Sequence, residues 1–237
     1  MSSSIAARAA SFLVAAATAV VILSAATLPF LTPAWIAFAQ DRADAAAWTG
    51  YGPADLRTAT NALLHDVVLG PPAFDVVVAG EPVLTERERA HLRDVRGVFL
   101  GLAALAAASL VVLAVALARA RSAGWPWRAM RAGALGLVGA VLLVSGVAAV
   151  AFDAAFEVFH QLFFAGGTYT FDPRTDRMVQ LFPERLWFET ALAVGVVMIV
   201  LALVVAGLAG RRGAQSGRLE GPPPAVVPAP SGTEAAR

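Results

Sequence analysis

VRGVFLGLAALAAASLVVLAVALA, residues 95–118, carries one charge, Arg96, and no other ionisable side chain. Aliphatic and small residues follow one another without the polar stripe that a surface helix keeps. A hydrocarbon layer about 30 Å thick is crossed by about 20 helical residues rising about 1.5 Å each, so the stretch predicts a membrane-spanning helix. Residues 9–39, 132–152 and 187–210 form three further apolar blocks of spanning length. In lipid the backbone must satisfy its own hydrogen bonds, which leaves helix as the form for each block. Composition agrees: 58 % of the 237 residues are hydrophobic and 15 % charged, against about half and about a quarter in soluble domains. The expected fold class is an all-α membrane protein, four transmembrane helices with a small extracytoplasmic cap. Gly133, Gly136, Gly139 and Gly146 in the third block are small enough to let helices approach closely.

Charge sets the expected orientation. All eighteen basic residues are Arg. Arg8 lies in the N-terminal segment 1–8, Arg119, Arg121, Arg128 and Arg131 in the acid-free loop 119–131, and Arg211, Arg212, Arg218 and Arg237 in the tail 211–237. Basic residues close to short loops mark the cytoplasmic side, so both termini are expected inside. The opposite side, residues 40–94 and 153–189 plus Arg96, holds nine Arg and fifteen acids. Ala37-Phe38-Ala39 resembles a signal-peptidase site. The apolar stretch before it is about twice the usual signal length, and Pro29 and Pro33 interrupt its outer end, which favours an uncleaved, kinked span. From about Gly213 the tail, with Pro222-Pro223-Pro224, reads as disordered.

Two segments face outward, 40–94 and 153–186. In the first, Leu56, Leu63, Leu64, Val67 and Val68 recur at helical spacing until Gly70-Pro71-Pro72. Residues 74–78 suit a short strand turned by Gly80. Thr85-Glu86-Arg87-Glu88 is a capping box that starts the helix leading into span two. The second segment is expected to continue span three as a helix through Phe164, turn at Gly166-Gly167, and run to Pro183-Glu184.

Chemistry is scarce in this chain. Cysteine is absent, which excludes disulfides, thiolate nucleophiles and Cys-ligated zinc. Of three histidines, His65 sits within the cap helix, while His91 and His160 stand at the outer ends of spans two and three. Asp94 lies one turn from His91, and Asp153 and Glu157 share a helical face with His160. A neighbouring carboxylate fixes the tautomer of an imidazole and raises its basicity, which suits a general base near neutral pH. Glu88-x-x-His91 and Glu157-x-x-His160 also echo di-iron bundles, but two further helices would each have to supply a Glu. Spans one and four offer only Glu189, near an outer end. The span centres carry no ionisable residue, which disfavours a transporter.

Two stretches carry a resemblance. Glu88-Arg89-Ala90-His91-Leu92-Arg93-Asp94-Val95 is one. The other is the run Phe152-Asp153 to Phe159-His160-Gln161-Leu162-Phe163-Phe164, continuing through Phe171-Asp172-Pro173, Asp176, Leu181-Phe182-Pro183-Glu184 and Trp187. Over residues 10–210 the chain resembles a family of bacterial four-span membrane proteins that includes the lipoprotein intramolecular transacylase. The first signature is normally written with Met after the histidine, where this chain has Leu92.

The resemblance implies an acyl transfer at the outer leaflet of the bacterial cytoplasmic membrane. A fatty acyl chain leaves the glyceryl ester of a diacylglyceryl lipoprotein and becomes an amide on the α-amine of its N-terminal cysteine, giving the lyso-form. It also implies that His91 and His160 are the catalytic pair. His91 is then expected as the leading base, and His160 as the group that stabilises the oxyanion or protonates the leaving oxygen. Asp94 and Asp153 would orient the rings, and Asp172 and Asp176 would shape the loop. No metal, cofactor or nucleic acid is expected; the partners are the lipoprotein substrate and membrane lipid. The rival expectation is a non-enzymatic accessory or sensor protein whose cap binds a partner.

Overall fold

The computed structural model describes residues 2–120, 123–164 and 168–219. The first apolar block is not one helix. α1 (Ser2–Thr27) ends in a 3-10 turn, Leu28–Leu31, and α2 (Pro33–Arg42) begins after Thr32. Pro33 has no N–H to continue the ladder and forces the residue before it out of helical geometry. Thr32 is accordingly extended, at φ −114° and ψ 146°, and its hydroxyl accepts the Trp35 amide at 3.4 Å. The kink expected from the prolines is therefore a break, and α2 belongs to the cap.

The cap continues with α3 (Ala45–Thr49), α4 (Pro53–Val68) and a hairpin of β1 (Val77–Val78) and β2 (Glu81–Pro82). Ala79 at φ 53° and Gly80 at φ 86° turn the hairpin. α5 (Glu86–Ala120) has 35 residues, roughly 50 Å at about 1.5 Å each, well beyond the hydrocarbon thickness. Its apolar part begins at Val95, so the charged turns before it stand outside the lipid core. α6 (Trp125–Val150) follows closely, so the basic loop is shorter than 119–131; Arg121 lies outside the described residues.

α7 (Phe152–Phe163) is a separate helix, which corrects the expected continuation of span three. The break is one residue, Ala151, at φ −149° and ψ 55°. Ala151 N–H closes the last turn of α6 on Val147 O at 2.9 Å, and Ala151 O accepts the Ala155 amide at 3.0 Å in the first turn of α7. Asp153 in the first turn of α7 complements the partial positive charge there. The turn expected at Gly166-Gly167 lies outside the described residues. α8 (Arg177–Leu181) precedes α9 (Glu184–Leu219). α9 overruns the expected span end at Gly210, so residues 213–219 are helical rather than disordered. Gly210 and Gly213 lie against Arg131 and Trp127 of α6. Pro222-Pro223-Pro224 falls outside the described residues.

Among the described residues, four helices are long and apolar enough to cross a membrane, with mean hydropathy between 2.2 and 3.0. α1 packs against α5, α6 and α9, and α6 pairs with α9 along much of its length. Val14 and Ala17 of α1 meet Leu113 and Ala116 of α5 and Ala129 of α6. Ile22, Ala134, Ala202 and Ala206 make a second layer. The outward faces show Leu143, Val144, Leu192 and Leu208, a surface suited to lipid rather than water.

Segments 40–94 and 153–186 share one core. Leu56, Leu63, Phe74, Val78, Val83 and Leu84 of the first close on Met178 and Leu181 of the second. Buried Gln40 ties three elements, donating to Thr60 Oγ1 at 2.9 Å and to Leu181 O at 2.8 Å. Arg96, the single charge of the opening stretch, donates to Asp66 O and Val67 O at the C-terminal end of α4, where a cation complements the helix dipole.

Candidate functional site

α5 and α7 bring His91 and His160 together. The ring centres are 6.1 Å apart and the planes 16° from parallel. Both are buried, with 5 % and 8 % of their surface exposed. Aromatic rings wall the pair. Phe164 stands 4.7 Å from His91 and 5.3 Å from His160, centre to centre. Phe171 faces His91 at 5.5 Å, and Phe156 and Tyr169 face His160 at 4.1 and 5.1 Å. Such walls exclude water and strengthen whatever electrostatic interaction occurs inside.

The two imidazoles are held differently. His160 Nδ1 lies 2.8 Å from Phe156 O. A carbonyl oxygen only accepts, so Nδ1 carries the proton and Nε2 presents a lone pair. His91 Nδ1 is buried with no hydrogen-bond partner. A buried polar atom without a protein partner is costly, and such atoms are found at functional sites. Burial pushes the His91 pKa down to about 4; His160 adds to the fall and Asp94 opposes it. At neutral pH His91 is therefore an uncharged imidazole.

The supporting acids behave otherwise than expected. Asp94 is exposed and acts on His91 through its charge, without a hydrogen bond. Asp153 is exposed at the start of α7. Glu157 accepts from Gln161 Nε2 and Tyr169 Oη, both at 2.9 Å, rather than from His160. Helical spacing put these carboxylates within reach, but His160 is satisfied by the carbonyl one turn back. Asp172 and Asp176 form hydrogen bonds within the loop. Asp172 Oδ1 accepts the Arg174 amide at 2.9 Å, and buried Asp176 accepts the Asp172 amide at 2.7 Å.

Glu88 is wholly enclosed, at 0 % exposure. Its Oε2 accepts the Thr85 amide and hydroxyl, both at 2.7 Å, and Oε1 accepts the Met178 amide at 2.7 Å. The capping box is thus present, and its carboxylate also fastens α8 to α5 one turn below His91. Glu88 and Glu157 are both committed elsewhere, so the paired Glu-x-x-His motifs do not converge. Among the described residues no three His, Asp or Glu side chains gather as a metal-binding group. His65 lies apart on the cap surface beside Asp66, at 3.4 Å.

Sequence reasoning missed Tyr169 and Phe171 as walls of the pair, and Arg87 and Glu88 as ties beneath it. The capping box was the signal for Glu88. Nothing local distinguishes Arg87 from a solvated charge. Surface hollows of about 460 and 410 Å³ lie on the cap, the second lined in part by Thr85, Glu88 and Arg89. Neither is lined by His91 or His160.

Residues 11–187 match the family described as lipoprotein intramolecular transacylase Lit. The fold is similar to the solved structure of the membrane integral lipoprotein intramolecular transacylase Lit from Bacillus cereus. The TM-score is 0.74 at 17 % identity, covering 91 % of this chain and 99 % of that one. The same Bacillus cereus enzyme bearing a histidine-to-arginine substitution aligns with a TM-score of 0.71 at 16 % identity, over 92 % and 96 % of the two chains. Its histidine-to-alanine counterpart also gives 0.71 and 16 %, over 92 % and 97 %. No curated protein matches the chain.

Proposed function

Since the chain belongs to the lipoprotein intramolecular transacylase family, we propose that His91 and His160 are the groups that carry its acyl transfer. The protein is a multi-pass membrane acyltransferase. It moves an acyl chain from the glyceryl ester of a diacylglyceryl lipoprotein to the α-amine of the same molecule's N-terminal cysteine. One C–N bond forms, one C–O bond breaks, and one proton passes from nitrogen to the glyceryl oxygen.

An α-amine with a pKa near 8 is mostly protonated at neutral pH and needs a base to attack. His160 suits that task, because the Phe156 carbonyl fixes its proton on Nδ1 and leaves Nε2 free to accept. His91, uncharged and without a fixed partner, suits hydrogen-bond donation to the oxyanion, while His160 returns the proton it took from the amine to the departing glyceryl oxygen. This choice of base reverses the one expected from sequence, and the tautomer of His160 is the reason. Both reacting groups belong to one substrate, so confinement between the rings replaces a bimolecular encounter and supplies much of the rate.

The Arg clusters support a site on the outer face with both termini inside. α7 supports a location at the lipid boundary, since Phe159, Leu162 and Phe163 are exposed beside Asp153 and Glu157.

The single observation that carries the proposal is the convergence of two buried imidazoles from distant segments. The test is mass spectrometry of N-terminal lipopeptides from a host lacking other N-acylating enzymes. Wild-type protein should yield lyso-form lipopeptide, and His91→Ala and His160→Ala should each yield none at undiminished protein level. Full conversion by either variant would overturn the assignment.

A further inference from the structure

Arg87 stands in the charged first turns of α5, where an arginine is ordinarily solvated, yet its guanidinium is held on two sides. Nη2 donates to Asp176 Oδ2 at 2.8 Å. The guanidinium carbon lies 4.8 Å from the centre of the Phe171 ring. That ring is a wall of the His91 site, 5.5 Å from the imidazole. Asp176 also accepts the amide of Asp172, the residue next to Phe171. Arg87 therefore grips the same short stretch of loop by its aromatic ring and, through Asp176, by its backbone.

We propose that Arg87 is a positioning residue for the acyl transfer, acting through Phe171 to hold the wall of the site closed against His91. This rests on the assignment of His91 to the reacting pair. Arg87 touches neither histidine, and its side chain is 53 % exposed, so its replacement leaves the cap core intact. If Arg87 served only as an ion-pair partner of Asp176, its contribution would be the small one of a surface salt bridge. A lysine would then replace it. A planar guanidinium that lies on an aromatic face and bonds a carboxylate at once has no lysine equivalent.

Arg87→Lys keeps the charge and discriminates between the two roles; Phe171→Leu removes the platform. Two readouts apply to purified full-length protein in detergent. One is kcat and KM on a synthetic diacylglyceryl lipopeptide. The other is the titration of His91, followed by NMR of ring-labelled histidine. The charged and titratable groups bearing on His91 are His160 and Asp94, and neither substitution alters them. In Arg87→Lys, kcat should fall about tenfold to a hundredfold with KM little changed. The His91 titration should move upward from about 4 as water reaches the ring. Phe171→Leu should do the same, and the double variant should be no worse than either single one.

Wild-type kcat with an unmoved titration in Arg87→Lys would overturn the proposal and leave the acyl-transfer assignment standing. A fall in kcat without any shift would also overturn it, pointing to direct contact with substrate. If the wild-type protein fails to convert the lipopeptide, the acyl-transfer assignment fails, and the titration alone decides Arg87. A shift in both variants supports the clamp, and none overturns it.

Discussion

His91 titrates near 6.5 when unfolded and near about 4 in the folded protein, chiefly because burial disfavours the charged ring. Between those values the unfolded chain holds a proton that the folded chain lacks, so stability falls as pH drops through that window. The loss completed across it is on the order of 3 kcal/mol. Thermal unfolding of detergent-solubilised protein between pH 7 and pH 4 should show it, and His91→Phe should give a flatter curve over the same range. Equal slopes would mean that the ring is hydrated in the folded state. At this scale the sequence singled out the two imidazoles that the fold brings together, and expected other partners for them. Position at the outer ends of adjacent spans picked out His91 and His160, because a titratable ring is rare there. Asp94, Asp153 and Glu157 were within helical reach, but i to i+4 spacing cannot say whether an imidazole takes a side chain or the carbonyl of its own helix. The carbonyl of Phe156, available to any residue at position 160, left no mark in the sequence.

Elements show the same division between what spacing reveals and what rotation hides. Gly133, Gly136, Gly139 and Gly146 form one set by composition, yet they meet different surroundings. A Cβ on Gly133 would fall 2.1 Å from Ala15 O and 2.7 Å from Ala15 C and Cα, backbone of α1 that cannot turn aside. At Gly136, Gly139 and Gly146 nothing lies within 4 Å of that point. Alanine inside a helix is normally favoured over glycine by about 1 kcal/mol. Gly136→Ala should therefore be neutral or slightly stabilising, while Gly133→Ala should destabilise by about 1–3 kcal/mol as α1 and α6 are pushed apart. Thermal unfolding of the two variants side by side checks this, and equal midpoints would place the α1–α6 contact elsewhere. Prolines announced the break after α1, since the missing N–H is written in the residue. The break at Ala151 had no such herald, because Val150, Ala151 and Phe152 all tolerate helix. The extension of α9 beyond Gly210 was hidden for a related reason: its support is packing on Arg131 and Trp127 of α6, which glycine-rich local sequence does not advertise.

For the whole molecule, the two outer segments fold as one body, and the site depends on which side of the membrane that body occupies. The balance of charge argues for the outside. Nine of the eighteen Arg lie with only two acids on the side of the termini, and the cap side holds fifteen acids. Basic residues resist translocation while acids contribute little, so inverting the molecule would carry Arg119, Arg128 and Arg131 across together with Arg211 and Arg212. The proposed reaction calls for the same geometry. A lipoprotein whose acyl chains stay in the outer leaflet and whose peptide leads away from the membrane would reach the histidines from the external face. The chain contains no cysteine, which makes single-cysteine labelling free of background. Asn61 is exposed on α4 in the cap, and Gln215 is exposed near the far end of α9. In intact spheroplasts a membrane-impermeant maleimide should label Asn61→Cys and leave Gln215→Cys unlabelled until the membrane is permeabilised. The opposite pattern would put His91 and His160 on the cytoplasmic side, out of reach of lipoproteins already carried across the membrane.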